Sequence, residues 1–95
     1  MYLEMVGDVI EVTGTNFENG VINLKKQKIC IDFDTLKNCT VIADEIEITS
    51  SNCNDAFITG SKLICDKLYI YEDTIAVFEN TQIECEDITG EYEIK

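Results

Sequence analysis

The sequence predicts an all-β protein, a short right-handed parallel β-helix or solenoid of about four to five coils with a period of about 20 residues. Three observations point there. An apolar leader at Phe17, Leu36, Phe57 and Phe78 recurs at steps of 19, 21 and 21 residues. A small or aliphatic position at Leu24, Ala43, Cys65 and Cys85 recurs at steps of 19, 22 and 20. Between these positions β-branched residues alternate at period two and no 3.6-residue stripe occurs, which favours strands over helices. No single unit of such a repeat can bury its own apolar face, so the core must come from stacking.

The chain 1–95 reads as one solenoid domain. Residues 1–15 form an irregular N-terminal coil or cap, with short strands around Leu3, Val6, Ile10 and Val12 broken at Gly7 and Gly14. Residues 16–88 hold the repeats. The first opens at Asn16, turns at Asn19-Gly20 and continues as the alternation Ile22-x-Leu24, followed by the only basic cluster, Lys25, Lys26 and Lys28. Ile29, Ile31 and Phe33 then alternate with Cys30, Asp32 and Asp34, giving a strand with an acidic outer side. From Leu36 each unit contains a leader, a polar turn, a strand, an acidic corner (Asp44-Glu45, Asp66-Lys67, Glu86-Asp87) and a second strand. Thr49 to Ala56 is a polar loop, and Glu72-Asp73 a small turn between the third and fourth units. Residues 89–95 form a C-terminal edge or cap, where Tyr92 and Ile94 alternate with acids.

Composition narrows the function. Nineteen acidic residues face seven lysines, and neither His nor Arg occurs, for a net charge of −12. Residues 1–40 hold six acids and four lysines, net −2; residues 41–95 hold thirteen acids and three lysines, net −10. Direct nucleic-acid binding is disfavoured, because affinity for phosphates comes from Lys and Arg displacing counterions. A basic protein partner is favoured instead. No apolar run is long enough for a transmembrane helix, and the acidic N-terminal stretch does not read as a signal peptide, so a cytoplasmic location without membrane attachment is expected. The five cysteines are odd in number and lack CxxC spacing; they are expected to be reduced and structural, with no metal and no cofactor.

In a parallel stack, equivalent positions lie roughly 4.8 Å apart. Asn19, Asn38 and Asn80 share the second position after the leader, with Thr59 in the third copy, and form a structural turn ladder. Asp44, Asp66 and Glu86 stack at the corner, beside Glu45, Lys67 and Asp87. Two carboxylates about 5 Å apart in water repel by roughly 0.8 kcal/mol before screening, so stability alone would not select the ladder. Its bland explanation is solubility; its functional one is a surface for a cationic ligand. The candidate partner-binding residues are Asp44, Glu45, Glu47, Asp66, Glu84, Glu86, Asp87, Glu91 and Glu93. Calcium is disfavoured because no DxDxDG-type loop is present. Catalysis is not expected, since only carboxylates, Tyr, Lys and thiols are available. Treated as a rod of roughly 22 Å, the stack would carry about one net charge per 1.8 Å, near the density of duplex DNA.

The segments from Phe17 to Ile88 resemble the coils of parallel β-helix proteins as an architecture, without a diagnostic motif. Coil length resembles that of bactofilins, cytoskeletal β-helices that polymerise end to end, although their frequent glycines are missing. The acidity resembles that of phage-encoded nucleic-acid mimics such as anti-CRISPR proteins and DNA-imitating pentapeptide-repeat proteins, although the five-residue pattern is absent. The first resemblance implies a self-assembling structural solenoid, an oligomer or filament unit joined through its edges. The second implies a non-enzymatic inhibitor that occupies the basic nucleic-acid-binding surface of a partner. The residues favour the second, with the first as its alternative.

Overall fold

A computed structural model describes residues 2–95, which form thirteen strands and no helix. Strands run β1 (Tyr2–Val6), β2 (Val9–Thr13), β3 (Asn16–Glu18), β4 (Val21–Asp32), β5 (Thr35–Lys37), β6 (Thr40–Thr49) and β7 (Asp55–Thr59). They continue as β8 (Lys62–Ile64), β9 (Lys67–Ile70), β10 (Ile75–Glu79), β11 (Gln82–Glu84), β12 (Asp87–Thr89) and β13 (Glu91–Ile94). Apart from the β1–β2 hairpin every pairing is parallel, and equivalent strands of successive coils lie side by side, giving a β-solenoid of about four turns.

Each coil has three faces. The first is the five-stranded sheet β3-β5-β7-β10-β13. The second stacks residues 21–24, residues 40–43, β8 and β11, and the third stacks β2, residues 28–32, residues 45–49, β9 and β12. The second and third faces meet at a corner where β4 and β6 bend without ending. In β6 that corner is the single residue Asp44, whereas β4 spends Lys25, Lys26 and Gln27 on it, and the pairing register shifts there between Leu24 and Lys28.

Alternation places the core. Ile29, Ile31, Ile46, Ile48, Leu68 and Ile70 are all buried on the inner side of the third face, with Val41, Ala43, Leu63 and Cys65 inside the second. Leu24 and Cys85 pack against this core less completely because they belong to the end coils. Ile29, Ile31 and Phe33 are buried and Cys30, Asp32 and Asp34 only partly so, as their alternation predicts.

One expected register is wrong. Phe17 pairs with Leu36, Leu36 with Ile58, and Ile58 with Phe78, so the inward leader of the third unit is Ile58 and not Phe57. Ile58 is fully buried, while Phe57 points outward and is 42% exposed. Parity explains the exchange: Ala56 pairs with Ala76 inside the coil, and both Ala76 and Phe78 are buried, so Phe57 must face out despite its size. Leaders at 17, 36, 58 and 78 now step by 19, 22 and 20, the same steps as Leu24, Ala43, Cys65 and Cys85. The extra residues of the long coil sit in the turn over 50–54, held by Ser51 donating from its N to Asp32 Oδ1 at 3.0 Å and from its Oγ to Asp32 Oδ2 at 2.7 Å.

The turn ladder moves with the register. Its third member is Gly60, not Thr59, and the four positions share the left-handed conformation: Asn19 φ 56°, Asn38 φ 53°, Gly60 φ 59° and Asn80 φ 48°. Asn and Gly are the residues that adopt this conformation at least cost, which is why they alternate here. Asn38 Nδ2 donates to Asn19 Oδ1 at 3.4 Å, and a Cβ on Gly60 would lie only 2.5 Å from Asn38 Oδ1.

The corrected register makes a direct prediction. Replacing Ile58 with Ala should cost about 2–5 kcal/mol of unfolding free energy, the usual range for emptying a packed site. Phe57→Ala, on the outer side, should cost less than about 1.5 kcal/mol. Urea titrations of both variants check the order; equal losses would contradict the register.

Candidate acidic interface

Asp44, Asp66 and Glu86 occupy the corner between the second and third faces in three successive coils. The backbone carries the stack: Asp66 N donates to the Asp44 carbonyl at 2.8 Å, and Glu86 N to the Asp66 carbonyl at 3.1 Å. All three side chains are exposed. In the preceding coil the corner is basic, and the backbone N–H of Lys26, at φ 65°, donates to Asp44 Oδ1 at 3.0 Å. The line of carboxylates thus begins at a lysine cluster and becomes uncompensated toward the C-terminal end.

The other candidate residues divide by face. Glu45 and Asp87 stand on the outer side of the third face in the series Lys28, Glu45, Lys67, Asp87, which alternates in sign from coil to coil. Lys28 Nζ lies 3.5 Å from Glu45 and 3.8 Å from Asp8. This face is mixed in sign but net acidic, with Lys28 and Lys67 set among Glu11, Asp32, Glu45, Glu47 and Asp87; a depression of about 170 Å³ on it is lined by Lys28, Lys67, Glu45, Glu47 and Tyr69. Glu84 lies on the second face with Lys62 Nζ at 3.8 Å. Glu91 and Glu93 belong to β13 on the first face, across the coil from the corner.

No single face therefore displays all nine residues. What the structure brings together is the last coil. Residues 79–95 carry Glu79, Glu84, Glu86, Asp87, Glu91 and Glu93, every one exposed, against Lys95 alone. These carboxylates surround the open end of the core, where Ile83, Cys85 and Ile88 are only partly covered and Ile94 is 71% exposed. Tyr92 partly shields that end, its ring edge-on to Phe78 at 6.1 Å between centroids. Glu79 was not singled out from the sequence. The position was visible there as the residue before the Asn80 turn, but its membership of the rim depends on the closing of the last coil.

The molecule measures 33 × 28 × 27 Å and is no slender rod, so its charges are spread over several faces rather than along one line. The corner line presents about one carboxylate per 4.8 Å, against about one charge per 1.7 Å along duplex DNA. Its chemistry is that of a sparse acidic edge joined to an acidic rim.

Glu47 is set apart. It shares the outer side of the third face with Cys30 and, one coil further, Glu11. Burial first, and then the Glu11 charge, raise its carboxyl above the ordinary 4.5. Burial, with the charges of Glu47, Glu11 and Asp32, pushes the Cys30 thiol up to about 12. Cys65, on the core side next to Cys85, is also pushed up to about 12, mainly by burial. All five cysteines are free, and Cys53 is the exposed one. Among the described residues no cluster of three Cys, Asp or Glu could hold a metal ion, and no helix is long and apolar enough to cross a membrane.

Compared with known proteins, the chain matches no family model, no curated protein and no solved structure.

Two predictions follow from these thiols and this carboxyl. At about pH 8 iodoacetamide should label Cys53 in the folded protein and reach Cys30 and Cys65 only after denaturation, because the thiolate is the reactive form; peptide mass mapping checks this. A carboxyl raised by folding favours the native state when protonated, and that contribution is lost as pH rises from 4.5 through the raised value. Glu47→Gln should therefore raise the Tm at pH 7 and leave it nearly unchanged below pH 4, in paired thermal melts.

Proposed function

We propose that this protein is a non-enzymatic acidic binding module that docks on the basic, nucleic-acid-binding surface of another protein and blocks it. The observation that carries the reading is the exposed acidic rim of the last coil, continuous at Glu86 with the Asp66 and Asp44 corner line. The rim surrounds the partly covered Ile83 and Ile88 and the exposed Ile94. An apolar centre inside a charged border is how protein interfaces combine affinity with steering: the centre excludes water, and the border sets the sign of the partner. A groove lined with Lys and Arg has that sign.

The absence of Arg and the scarcity of Lys argue that the chain competes with nucleic acid for such a groove rather than joining it there. Phage-encoded mimics, anti-CRISPR proteins among them, use carboxylates in this way, and the reading places the chain beside them by chemistry alone. The rest of the third face contributes less to recognition than the rim, because Lys28 and Lys67 interrupt its acids. A cytoplasmic setting suits both the partner and the free thiols.

The test is capture on the immobilised chain from host lysate at about 0.05 M NaCl, where screening is weak. A basic protein should be retained, released by about 0.5 M NaCl, and displaced by duplex DNA. The triple variant Asp44→Lys, Asp66→Lys, Glu86→Lys should lose binding by roughly 10- to 100-fold, while Lys67→Glu should leave it unchanged or strengthen it. Binding indifferent to salt and to DNA would overturn the proposal.

A further inference from the structure

The opposite end of the stack bears a different surface. Among the described residues β1 is the last strand of its sheet, pairs with β2 alone, and leaves its outer backbone edge unpaired. Four of its five residues are apolar and all are exposed: Tyr2 60%, Leu3 60%, Met5 56% and Val6 49%. The register Leu3↔Val12 and Met5↔Ile10 puts Leu3 and Met5 on the core side of the sheet, one strand beyond the first coil. Among the described residues no element lies across from them. Beside them the first coil ends in Phe17, Ile22 and Leu24, all incompletely covered, and Val21 is 72% exposed. A bare apolar edge strand is a template for pairing with another strand.

We propose that β1 is a homodimer interface, in which two copies join head to head by antiparallel pairing of their β1 strands about a two-fold axis. Three observations select a second copy as the occupant. The first is strand direction. Continuing the solenoid head to tail would need an incoming strand parallel to the coil at every face, and β1 runs antiparallel to β2, reversing the direction at this one. Two β1 strands related by a two-fold axis, in contrast, meet antiparallel, a self-complementary arrangement that closes at two copies.

Charge is the second. Residues 1–40 carry a net −2 and residues 41–95 a net −10, so head-to-head contact joins the nearly neutral ends and holds the acidic ones apart. Tail-to-tail contact would oppose the two most acidic coils. The third is composition: Glu4 is the only charged residue on β1, whereas natural edge strands meant to stay single are guarded by inward charges, Pro or bulges. The same pairing turns the Leu3 and Met5 side chains of both copies toward the gap between their first coils, covering surface that a monomer leaves in water.

Salt separates this contact from recognition of a basic partner. Two acidic chains repel, so the dimer should tighten when NaCl rises from about 0.05 M to about 0.5 M, whereas the acidic rim should lose its partner over the same range. Sedimentation equilibrium of the full chain tests it. We expect a species of twice the 10.7 kDa chain mass, favoured by salt. It should be lost in Leu3→Lys with Met5→Lys, which lowers the net negative charge, and kept in Ile94→Lys at the other end. A monomer at all concentrations, a dimer that survives the double variant or disappears in Ile94→Lys, or assemblies growing beyond two would each overturn the proposal. If circular dichroism shows the double variant unfolded, Glu4→Gln decides: tighter dimerisation at low salt supports the interface, and an unchanged constant refutes it.

Discussion

Every coil of a solenoid must return to its starting point displaced by one strand spacing, or the parallel ladder to its neighbour fails. That closure is the constraint on which the rest of this structure depends. It is met at the corners, including the bends inside β4 and β6, since each face holds only a short run of strand. The left-handed residues Asn19, Asn38, Gly60 and Asn80 turn the chain at one corner, and the single residues Asp44 and Asp66 bend it at another. At the C-terminal end Gly90, at φ 117°, brings the chain so close to Ile70 that a Cβ there would lie 2.5 Å from the Ile70 carbonyl oxygen. Closure also explains the chain's tolerance of −12: outward positions are wherever the corners leave them, and acids placed there do not interrupt the ladder inside.

The interior of the fold was legible because burial writes itself as period two. Ile29-x-Ile31, Ile46-x-Ile48 and Leu68-x-Ile70 can be read as one inward ladder without coordinates. The leader of the third unit was harder, since Phe57 is the larger side chain and lies next to the correct residue. Size is a poor guide where an aromatic ring can lie on the outer face. Two signals carried the answer: Gly60 as the partner of the turn asparagines, and the requirement that both ladders step by the same amounts. The long turn over 50–54 hid them by displacing the whole unit.

The acidic site was legible residue by residue but not as a surface. Sequence spacing correctly stacks Asp44, Asp66 and Glu86. It cannot show that Glu45 faces Lys28, or that Glu91 and Glu93 stand across the coil from the corner, because both depend on which face each strand joins. The uneven charge of the two halves of the sequence becomes in the fold a polarity along the stack, near neutral at one end and strongly negative at the other. Such a molecule has an electrostatic dipole along its axis, and an approaching cationic surface meets one end preferentially.

The turn over 50–54 bears on how such a chain can change over time. It lengthens one coil to 22 residues, yet Ala56 and Ile58 remain in register with Ala76 and Phe78. Residues 51–54, all exposed, are absorbed outside the ladder and anchored through Ser51 to Asp32 of the neighbouring coil, while Ser50 stays buried. Insertions and deletions at this corner are therefore decoupled from the core. It is the part of the molecule where new sequence can be acquired, by evolution or by grafting, while the stack goes on folding as before.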